Sequence, residues 1–331
     1  MSDLVLEVQD LVVRYPVSRG IVGMIRRMPK QEIHAVEGVS FRLERGEMLA
    51  LVGESGCGKT TTAQSILRLV DADHGSIRLN GRDITAITNR ELRPLRRRVQ
   101  IIYQDPYESL DPRFRVRDAV AEPLVIHGIG ASRDEQLSIV VAALERVGLT
   151  PPDLFLNRYP HELSGGQRQR VAIAAALVLE PELLVADEPV SMLDVSVRAG
   201  VLGLLDDLRR SGLSILMITH DLSTAAHFAD RIAVMYLGRI VEEGPAREIV
   251  RNPQHPYTKA LMSVVPNADP LKRKRRVILQ GETPNPISVP SGCRFHPRCP
   301  VAQDRCSVED PSLHPTAAGA SEQHRAACLF T

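Results

Sequence analysis

The chain has 331 residues, of which 44% are hydrophobic, and a formal net charge of +1. This length and apolar content allow one large domain with an appendage, or two domains. The near balance of charge gives no electrostatic reason to expect a nucleic-acid partner. No apolar run reaches the roughly 18 residues of a membrane-spanning helix, and the first residues lack the layout of a secretory signal. We therefore expect a cytosolic protein whose membrane role would come through a partner.

The first part of the chain predicts an antiparallel β layer. Residues 4–15 and 33–43 are rich in Val and Leu and predict strands, with a surface loop at 16–30 between them. Residues 76–79, followed by Asn80-Gly81, predict a β-hairpin. Tyr15 lies ahead of the glycine-rich loop by a distance that would let its ring stack on an adenine base. A core or edge tyrosine is the alternative.

A phosphate-binding loop follows the apolar run 48–52, which predicts a buried strand. The loop is Gly53-Glu54-Ser55-Gly56-Cys57-Gly58-Lys59-Thr60, which fits G-x-x-x-x-G-K-[ST]. Its glycines let the backbone wrap closely around phosphates, and the N–H groups at the start of the next helix favour an anion. Lys59 would reach the β- and γ-phosphates, the Thr60 hydroxyl would bind Mg²⁺, and Thr61 would contact the α-phosphate. Cys57 occupies a variable position, which indicates a small filler and not a nucleophile.

A second helix start resembles an anion site. A predicted strand ends near Gln104, and residues 106–162 are mostly helical, clearest at 119–126 and 136–147. We interpret this part as an inserted helical subdomain, with Gln104 as its hinge to the nucleotide. The segment Leu163-Ser164-Gly165-Gly166-Gln167 follows, with Ser164 as predicted N-cap and Gln167 at the capping-box position. Two glycines weaken a helix start, which indicates a close approach, most naturally by an anion. Because the P-loop already serves one triphosphate, we infer a nucleotide bound to another subunit.

Acidic residues end the next predicted strand. Residues 183–188 are Leu-Leu-Val-Ala-Asp-Glu, in which Asp187 would hold Mg²⁺ and Glu188 could polarise the attacking water. The loop Ser191-Met192-Leu193-Asp194 comes next. His220 then follows a buried strand at 213–219, at the strand end where open parallel sheets bind ligands. That position favours a contact between His220 and the γ-phosphate.

Together these residues resemble the ATPase subunits of ABC transporters over residues 4 to about 250. The resemblance implies an α/β P-loop NTPase fold with a parallel sheet core, an antiparallel β subdomain and a helical subdomain at about 106–170. It implies that Lys59, Glu188, Gln104 and His220 act in ATP hydrolysis and that Thr60, Gln104 and Asp187 bind Mg²⁺. In the family two such domains pair head to tail. The signature segment, Leu163–Gln167, and the D-loop, Ser191–Asp194, would then contact ATP bound to the partner's P-loop, through Ser164, Gly165, Gly166, Gln167 and Asp194.

A narrower resemblance is to the oligopeptide and dipeptide importer ATPases. It is based on Tyr159-Pro160-His161-Glu162, on Asp187-Glu188-Pro189-Val190-Ser191, on His255-Pro256-Tyr257-Thr258 and on the cysteine-bearing tail. The resemblance implies a second, related ATPase subunit, two transmembrane permease subunits, an extracytoplasmic binding protein reached indirectly, and a place on the cytoplasmic face of the inner membrane. Met192 stands where that group more often has a small residue. Nickel or another small solute is an alternative cargo. A soluble ABC ATPase without a transport role, or a redox-regulated one, is the alternative of a different class.

The tail forms a predicted extension at 251–331, beyond an ATPase domain at 1–250. A basic run at 272–276 is interpreted as a solvated linker, with a lipid-headgroup or partner contact as the alternative. Four of the five cysteines follow: Cys293, Cys299, Cys306 and Cys328. Disulfides are disfavoured in a reducing cytosol, and four thiolates fit either Zn²⁺ or a [4Fe–4S] cluster. The importer resemblance implies the cluster; zinc and unmetallated thiols stay open, and His296 is interpreted as structural.

Overall fold

The computed structural model describes residues 3–17, 31–105, 109–265, 276–316 and 323–331. The predicted surface loop at 16–30 lies largely outside these residues, and so does most of the basic run at 272–276. Within the described part of the chain, none of the helices combines the length and the apolar character needed to cross a membrane.

The described chain contains both strands and helices, and most of the helices follow one another between β6 and β7 or alternate with the later strands. The strands are β1 (Leu4–Pro16), β2 (Glu32–Glu44), β3 (Met48–Val52), β4 (His74–Leu79), β5 (Arg82–Asp83), β6 (Val99–Ile102), β7 (Leu183–Asp187), β8 (Ser214–Thr219), β9 (Arg231–Tyr236), β10 (Arg239–Pro245), β11 (His314–Pro315) and β12 (Arg325–Ala326). The α-helices are α1 (Lys59–Ile66), α2 (Asn89–Arg96), α3 (Val116–His127), α4 (Arg133–Arg146), α5 (Asp153–Leu156), α6 (Gly165–Leu177), α7 (Val195–Arg210), α8 (Leu222–Phe228), α9 (Ala246–Arg251) and α10 (Pro256–Val264). Short 3₁₀ turns span Pro160–Glu162, His296–Arg298 and Asp304–Ser307.

The chain forms two compact units. The first comprises Met1–Leu6, Leu43–Met48 and Ala86–Ile218, and the second comprises Glu7–Arg42, Leu49–Thr85 and Thr219–Thr331. The predicted division into residues 1–250 and 251–331, with a helical subdomain at about 106–170, stays a prediction.

In the first unit a parallel sheet supports a layer of helices. Strand β7 pairs in parallel with both β6 and β8, and every residue of β7 and β8 is buried. Continuous burial is expected of parallel strands that are covered on both faces. Helix α6 packs against α3, α4 and α7. Helices α3 and α4 confirm the helical character predicted for residues 119–126 and 136–147.

The start of α6 has the predicted capping box. The Gln167 N–H donates to Ser164 Oγ at 3.3 Å, and the Ser164 N–H donates to Gln167 Oε1 at 2.9 Å. These two bonds satisfy backbone N–H groups that a helix start otherwise leaves unpaired. The N-cap prediction for Ser164 is therefore confirmed.

The second unit contains two sheets. One has the order β2-β1-β4-β5, and its β4–β5 hairpin turns at Asn80-Gly81, both of which have positive φ as a two-residue hairpin turn requires. In the other, β3 pairs in parallel with β9, β9 pairs antiparallel with β10, and β12 joins β10 to β11. The tail therefore adds its two short strands to the sheet that includes the P-loop strand β3.

A buried carboxylate anchors the tail to β10. Glu242 is inaccessible to solvent and accepts hydrogen bonds from the N–H groups of Gln254 and His255, at 2.7 and 2.8 Å. The Nε2 atom of His324 lies 2.8 Å from the same carboxylate. A buried charge needs this degree of satisfaction, because removing one partner of such a group leaves the full desolvation penalty. Glu242 thus links the start of α10 and the end of the chain to the sheet.

We expect His255 to make the stability of the second unit depend on pH. Its buried ring caps α10 by accepting the Tyr257 N–H at Nδ1, and burial lowers the pKa of His255 to about 4 against the opposing effect of the Glu242 carboxylate. Between pH 6.5 and 4 the unfolded chain binds a proton that the folded chain does not, so stability falls as the pH falls through this window. We expect the free energy of unfolding to drop by about 2 kcal/mol from this residue between pH 7.5 and 5.

The measurement is urea unfolding at pH 7.5 and at pH 5 for wild type, His255→Asn and His74→Asn. Asparagine caps helices without titrating, so His255→Asn should flatten the pH dependence. The exposed His74, on β4, provides the control and should leave that dependence unchanged. An equally steep acid dependence in His255→Asn would show that other groups cause it.

Candidate functional site

In the P-loop, the side chain of the lysine binds backbone carbonyl groups of the loop itself. The Lys59 Nζ atom donates to the carbonyl oxygens of Gly53 and Glu54, at 2.8 and 2.9 Å, and its side chain is buried. Helix α1 begins at Lys59, so its unpaired N–H groups face the loop. An ammonium group at this helix start can exchange the two carbonyls for phosphate oxygens. The geometry is that of a phosphate site.

Two loop glycines are required by their surroundings. A Cβ at Gly58 would lie 2.1 Å from the Ala35 carbonyl oxygen, and Gly58 has φ +106, which L side chains rarely adopt. A Cβ at Gly53 would lie 2.2 Å from the Met235 carbonyl oxygen. Backbone atoms of β2 and β9 therefore contact the loop at these two glycines, where a side chain would not fit. Cys57 is buried, and burial raises the pKa of its thiol, as expected of a filler.

Strand β7 delivers the predicted acidic pair to one end of the first unit's sheet. Asp187 ends the strand and is buried, and the Glu188 N–H donates to the Ile218 carbonyl oxygen at 2.9 Å. Glu188 has φ +46, an uncommon conformation for a residue with a side chain and one that concentrates at functional sites. The Gln104 Nε2 atom donates to Glu188 Oε2 at 3.2 Å. The structure thus brings the predicted hinge glutamine to the predicted catalytic carboxylate.

The signature segment packs on the D-loop and on the helix after it. A Cβ at Gly166 would lie 2.3 Å from Val197 Cγ1, and one at Gly165 would lie 3.4 Å from Leu193 Cδ2. The glycine pair predicted a close approach by another group. At Gly166, helix α7 is the group that approaches. On the same D-loop and helix start Met192 and Val195 are 64% and 80% exposed.

The remaining predicted nucleotide contacts lie on separate parts of the two units. Tyr15 is half-buried on β1, Thr60 is exposed in the first turn of α1, and His220 is exposed directly after β8, all in the second unit. Asp194 is the N-cap residue of α7 in the first unit, and its side chain makes no capping bond. Their roles toward ATP and Mg²⁺ stay predictions, as do those of Ser55, Gly56 and Thr61.

The four tail cysteines line one small cavity of about 20 Å³, together with residues that include His255, Phe295 and Phe330. All four are free thiols. Burial, together with the neighbouring cysteines, raises the pKa of Cys293 to about 11. His296 Nδ1 lies 2.9 Å from the Cys293 carbonyl oxygen, which agrees with a structural role for that ring.

This donor set suits a single ion poorly. Among the described residues, no three His, Cys, Asp or Glu side chains are close enough together to hold one metal ion. A tetrahedral zinc with Zn–S bonds of about 2.3 Å would require sulfurs about 3.8 Å apart. In a [4Fe–4S] cluster each thiolate binds a different iron, so four thiols are the right donor set, and the cavity of about 20 Å³ would have to widen to admit the cluster. The cluster stays a prediction.

Three residues for which the sequence predicted no contact with the nucleotide-binding loop bond to the P-loop. Arg298, Thr283 and Tyr257 all bond to Glu54 from within the second unit. Glu54 matched only a variable position of the motif, and each partner lies more than 200 residues away in the chain. No local sequence signal could have predicted these contacts.

The fold and the site define the class of protein: a P-loop ATPase in which a signature helix and an acidic strand end accompany the phosphate loop. Comparison with known families agrees. The ABC transporter family profile matches residues 36–191, and the profile for the C-terminal region of oligopeptide/dipeptide transporters matches residues 241–306.

Curated relatives are similar along nearly the whole chain. The oligopeptide transport ATP-binding protein OppF of Salmonella typhimurium is 46% identical over 98% of this chain and 96% of its own. A probable peptide ABC transporter ATP-binding protein of Sinorhizobium fredii is 46% identical over 95% and 88%. The chain belongs to the family of ABC transporter ATP-binding proteins. The predicted ATPase class is thereby confirmed, and membership implies ATP and Mg²⁺ as cofactors.

Solved structures support the same fold. A dimeric ATP-binding cassette bound to ADP and phosphate matches with a TM-score of 0.64 and 27% identity, covering 73% of this chain and 99% of the cassette. CbiO1 of Clostridium perfringens, part of an ABC transporter complex, matches with a TM-score of 0.64 and 29% identity, covering 76% and 92%. The predicted ABC ATPase fold is confirmed, and the tail beyond it lies outside what these matches establish.

Proposed function

We propose that the chain is the ATP-hydrolysing subunit of an ABC importer for di- or oligopeptides, peripheral to the cytoplasmic face of the inner membrane. The names of its relatives support the peptide cargo, and so does the match of residues 241–306 to the C-terminal region of oligopeptide/dipeptide transporters. Nickel or another small solute remains the alternative cargo, since the ATPase subunit itself never touches the substrate.

The proposed mechanism assigns a separate task to each side chain of the site. Lys59 releases its two loop carbonyls to bind phosphate oxygens. The Thr60 hydroxyl and the Asp187 carboxylate are oxygen donors of the kind that Mg²⁺ prefers, and the ion would neutralise charge on the phosphates. Glu188 accepts a proton from the attacking water, while Gln104, 3.2 Å away, holds that carboxylate in place. His220 contacts the γ-phosphate.

One observation supports the head-to-tail dimer above all others. The signature glycines and the D-loop form one surface, since Gly166 lies against Val197 and Gly165 against Leu193. On this surface Met192 and Val195 expose most of their apolar area. Large exposed apolar groups beside a helix N-terminus favour a protein partner that also presents an anion. We propose a second ABC ATPase subunit with ATP on its P-loop.

A second set of exposed apolar side chains supports docking to membrane permeases. In the first unit, large apolar side chains are exposed on α3, α4 and α5 and just before α3: Phe114, Val125, Ile126, Leu137 and Leu154. Such side chains on a helical layer favour a helical partner segment. Two permease subunits would occupy this position, one on each ATPase subunit, and an extracytoplasmic binding protein would reach the ATPase only through them.

The test is affinity purification of the tagged chain from its native membranes in mild detergent. We expect two multi-span permeases and a second ATPase to be recovered together, and peptides to stimulate ATP hydrolysis in liposomes that also contain the binding protein. The variant pair Val125→Asp and Ile126→Asp should lose the permeases yet retain ATP binding. The exposed Val308→Asp in the tail serves as the control. A soluble chain recovered alone would favour a non-transport ATPase, and stimulation by nickel alone would overturn the peptide cargo.

We further propose that Cys293, Cys299, Cys306 and Cys328 hold a [4Fe–4S] cluster. That all four thiols line one cavity supports this. Since burial raises the pKa of Cys293, Cys299 and Cys328, loading must displace protons from these thiols. When bound, the cluster would cross-link the tail loops.

Anaerobic purification followed by metal analysis tests the cluster. We expect about four irons per chain and a broad visible absorption, both lost in Cys293→Ser and Cys306→Ser. Cys57→Ser is the matched control, because Cys57 lies in the P-loop and should not affect the iron content. One zinc per chain would support the zinc alternative. Protein free of both metals would support the alternative of unmetallated thiols.

A further inference from the structure

A single P-loop residue is held by the C-terminal extension through three side chains. Arg298 donates Nη1 to Glu54 Oε2 at 2.8 Å and Nη2 to Glu54 Oε1 at 3.3 Å, so the pair is bidentate. The Thr283 hydroxyl donates to Glu54 Oε2 at 2.8 Å. The Tyr257 hydroxyl accepts the Glu54 N–H at 3.0 Å. All three partners lie within residues 241–306, the region shared with oligopeptide/dipeptide transporters.

The ion pair is not an ordinary surface contact. The side chains of Arg298 and Glu54 are only 10% and 29% exposed, and the guanidinium lies 5.9 Å from the centre of the Tyr236 ring. Exposed pairs contribute little to stability, whereas a bidentate pair shielded from water is strong and costly to break from one side. Tyr236, Tyr257 and Phe295 pack ring to ring at 4.8–5.4 Å beneath it. This aromatic cluster fixes the orientation of Arg298.

Glu54 is also part of the phosphate-binding machinery. Its carbonyl oxygen accepts one of the bonds from Lys59 Nζ, so the position of Glu54 sets the position of the lysine. Its carboxylate carries a negative charge in a loop that must bind a triphosphate. Like charges at short range repel, and a neighbouring arginine cancels that repulsion. A neutralised Glu54 permits ATP binding, and a bare one opposes it.

We propose that Arg298 is a positioning residue of the ATP site: it neutralises Glu54 and fixes the P-loop, so that the C-terminal extension sets the affinity for ATP. The extension thereby has a task in the nucleotide cycle, apart from any metal at its cysteines. The proposal is independent of the cargo and of the partner subunits.

The experiment measures ATP affinity of the full-length chain by calorimetric titration with Mg²⁺, and steady-state hydrolysis of the assembled complex. Arg298→Ala should raise the Kd for ATP about tenfold, which corresponds to about 1.4 kcal/mol, and should raise KM in parallel with kcat nearly unchanged. Arg298→Lys, which keeps the charge but loses the bidentate geometry, should lie between Arg298→Ala and wild type. The effect of Arg298→Ala should shrink in high salt.

The double variant Arg298→Ala/Glu54→Gln separates this role from a merely structural one. Removing the bare carboxylate should restore the Kd to within about twofold of wild type, since no repulsion remains. A structural defect in the tail would not be rescued, and absence of rescue would overturn the proposal. If Arg298→Ala does not fold, Arg298→Lys decides: it should raise the Kd for ATP by a smaller factor, and an unchanged Kd would contradict the proposal.

Arg305→Ala is the matched control. Arg305, like Arg298, lies in a 3₁₀ turn directly before a cysteine, but it pairs with Glu309 on the surface. Its replacement should leave the Kd for ATP unchanged. An equal increase in the Kd for ATP in Arg305→Ala would show that the effect comes from the tail as a whole and not from Arg298. Wild-type binding in the same titration verifies the ATP site itself.

Discussion

Glu188→Gln should abolish ATP turnover while ATP binding is retained. A general base contributes a factor of about 10² to 10⁴ in rate, and glutamine cannot accept the proton from water. The substitution is nearly isosteric, so the amide can keep the hydrogen-bond distance to Gln104, 3.2 Å in the present arrangement. The backbone of Glu188 is fixed by its bond to Ile218 and by Ser191, whose hydroxyl donates to the Glu188 carbonyl oxygen. Loss of activity would therefore reflect the side-chain chemistry and not a displaced strand end.

Phosphate release and ATP affinity are measured on the same preparation. Hydrolysis by Glu188→Gln should fall at least about 100-fold, with the Kd for ATP within a few-fold of wild type. The exposed Glu145, on α4, gives a matched control, since Glu145→Gln removes a carboxylate of the same kind away from the site. Gln104→Ala should reduce turnover by a smaller factor, because the carboxylate remains. Hydrolysis at the wild-type rate in Glu188→Gln would overturn the assignment of the base.

Local sequence patterns predicted the parts of the site that depend on short stretches of chain. The P-loop needs only adjacent residues: a buried strand, glycines and a helix start, all of which the order of residues 48–70 contains. The capping box at Ser164 likewise depends on residues only three positions apart, and the structure has both of its bonds. The hairpin at Asn80-Gly81 depends on the positive φ of two neighbouring residues. Such features are encoded by local geometry and need no tertiary information.

The long-range contacts could not be predicted from the sequence, because no local pattern of residues encodes them. The bond between Arg298 and Glu54 joins residues 244 positions apart. The short strands β11 and β12 have only two residues each, and β12 is a strand because β10 offers it an edge. The glycine at 166 was predicted to admit an anion, whereas its missing Cβ is also required by Val197. In each case packing between distant segments decides the conformation.

Gly166→Ala should reduce ATP hydrolysis by about 100-fold, because α7 packs directly on Gly166. The new Cβ would lie 2.3 Å from Val197 Cγ1, and carbon atoms prefer separations of about 3.5 Å or more, so α6 and α7 must separate by about 1 Å. Val is β-branched and cannot swing aside as a longer side chain could. A misplacement of about 1 Å can cost a factor of about 100 in rate, here for the partner's ATP, which the signature segment is proposed to contact. Binding of ATP to the chain's own P-loop should be unaffected.

Gly203→Ala provides a sharp comparison for this prediction. Gly203 lies in α7, and a Cβ added there would meet nothing within 4 Å, so the methyl is accommodated and helix propensity improves by about 1 kcal/mol. We expect wild-type turnover and slightly higher stability for Gly203→Ala, against a loss of about 100-fold in kcat for Gly166→Ala. Val197→Ala removes the opposing methyl, so combining it with Gly166→Ala should recover at least about tenfold of the loss, by the same strain argument. Normal turnover in Gly166→Ala would mean that α6 and α7 can separate freely, and that the signature segment does not need its present position.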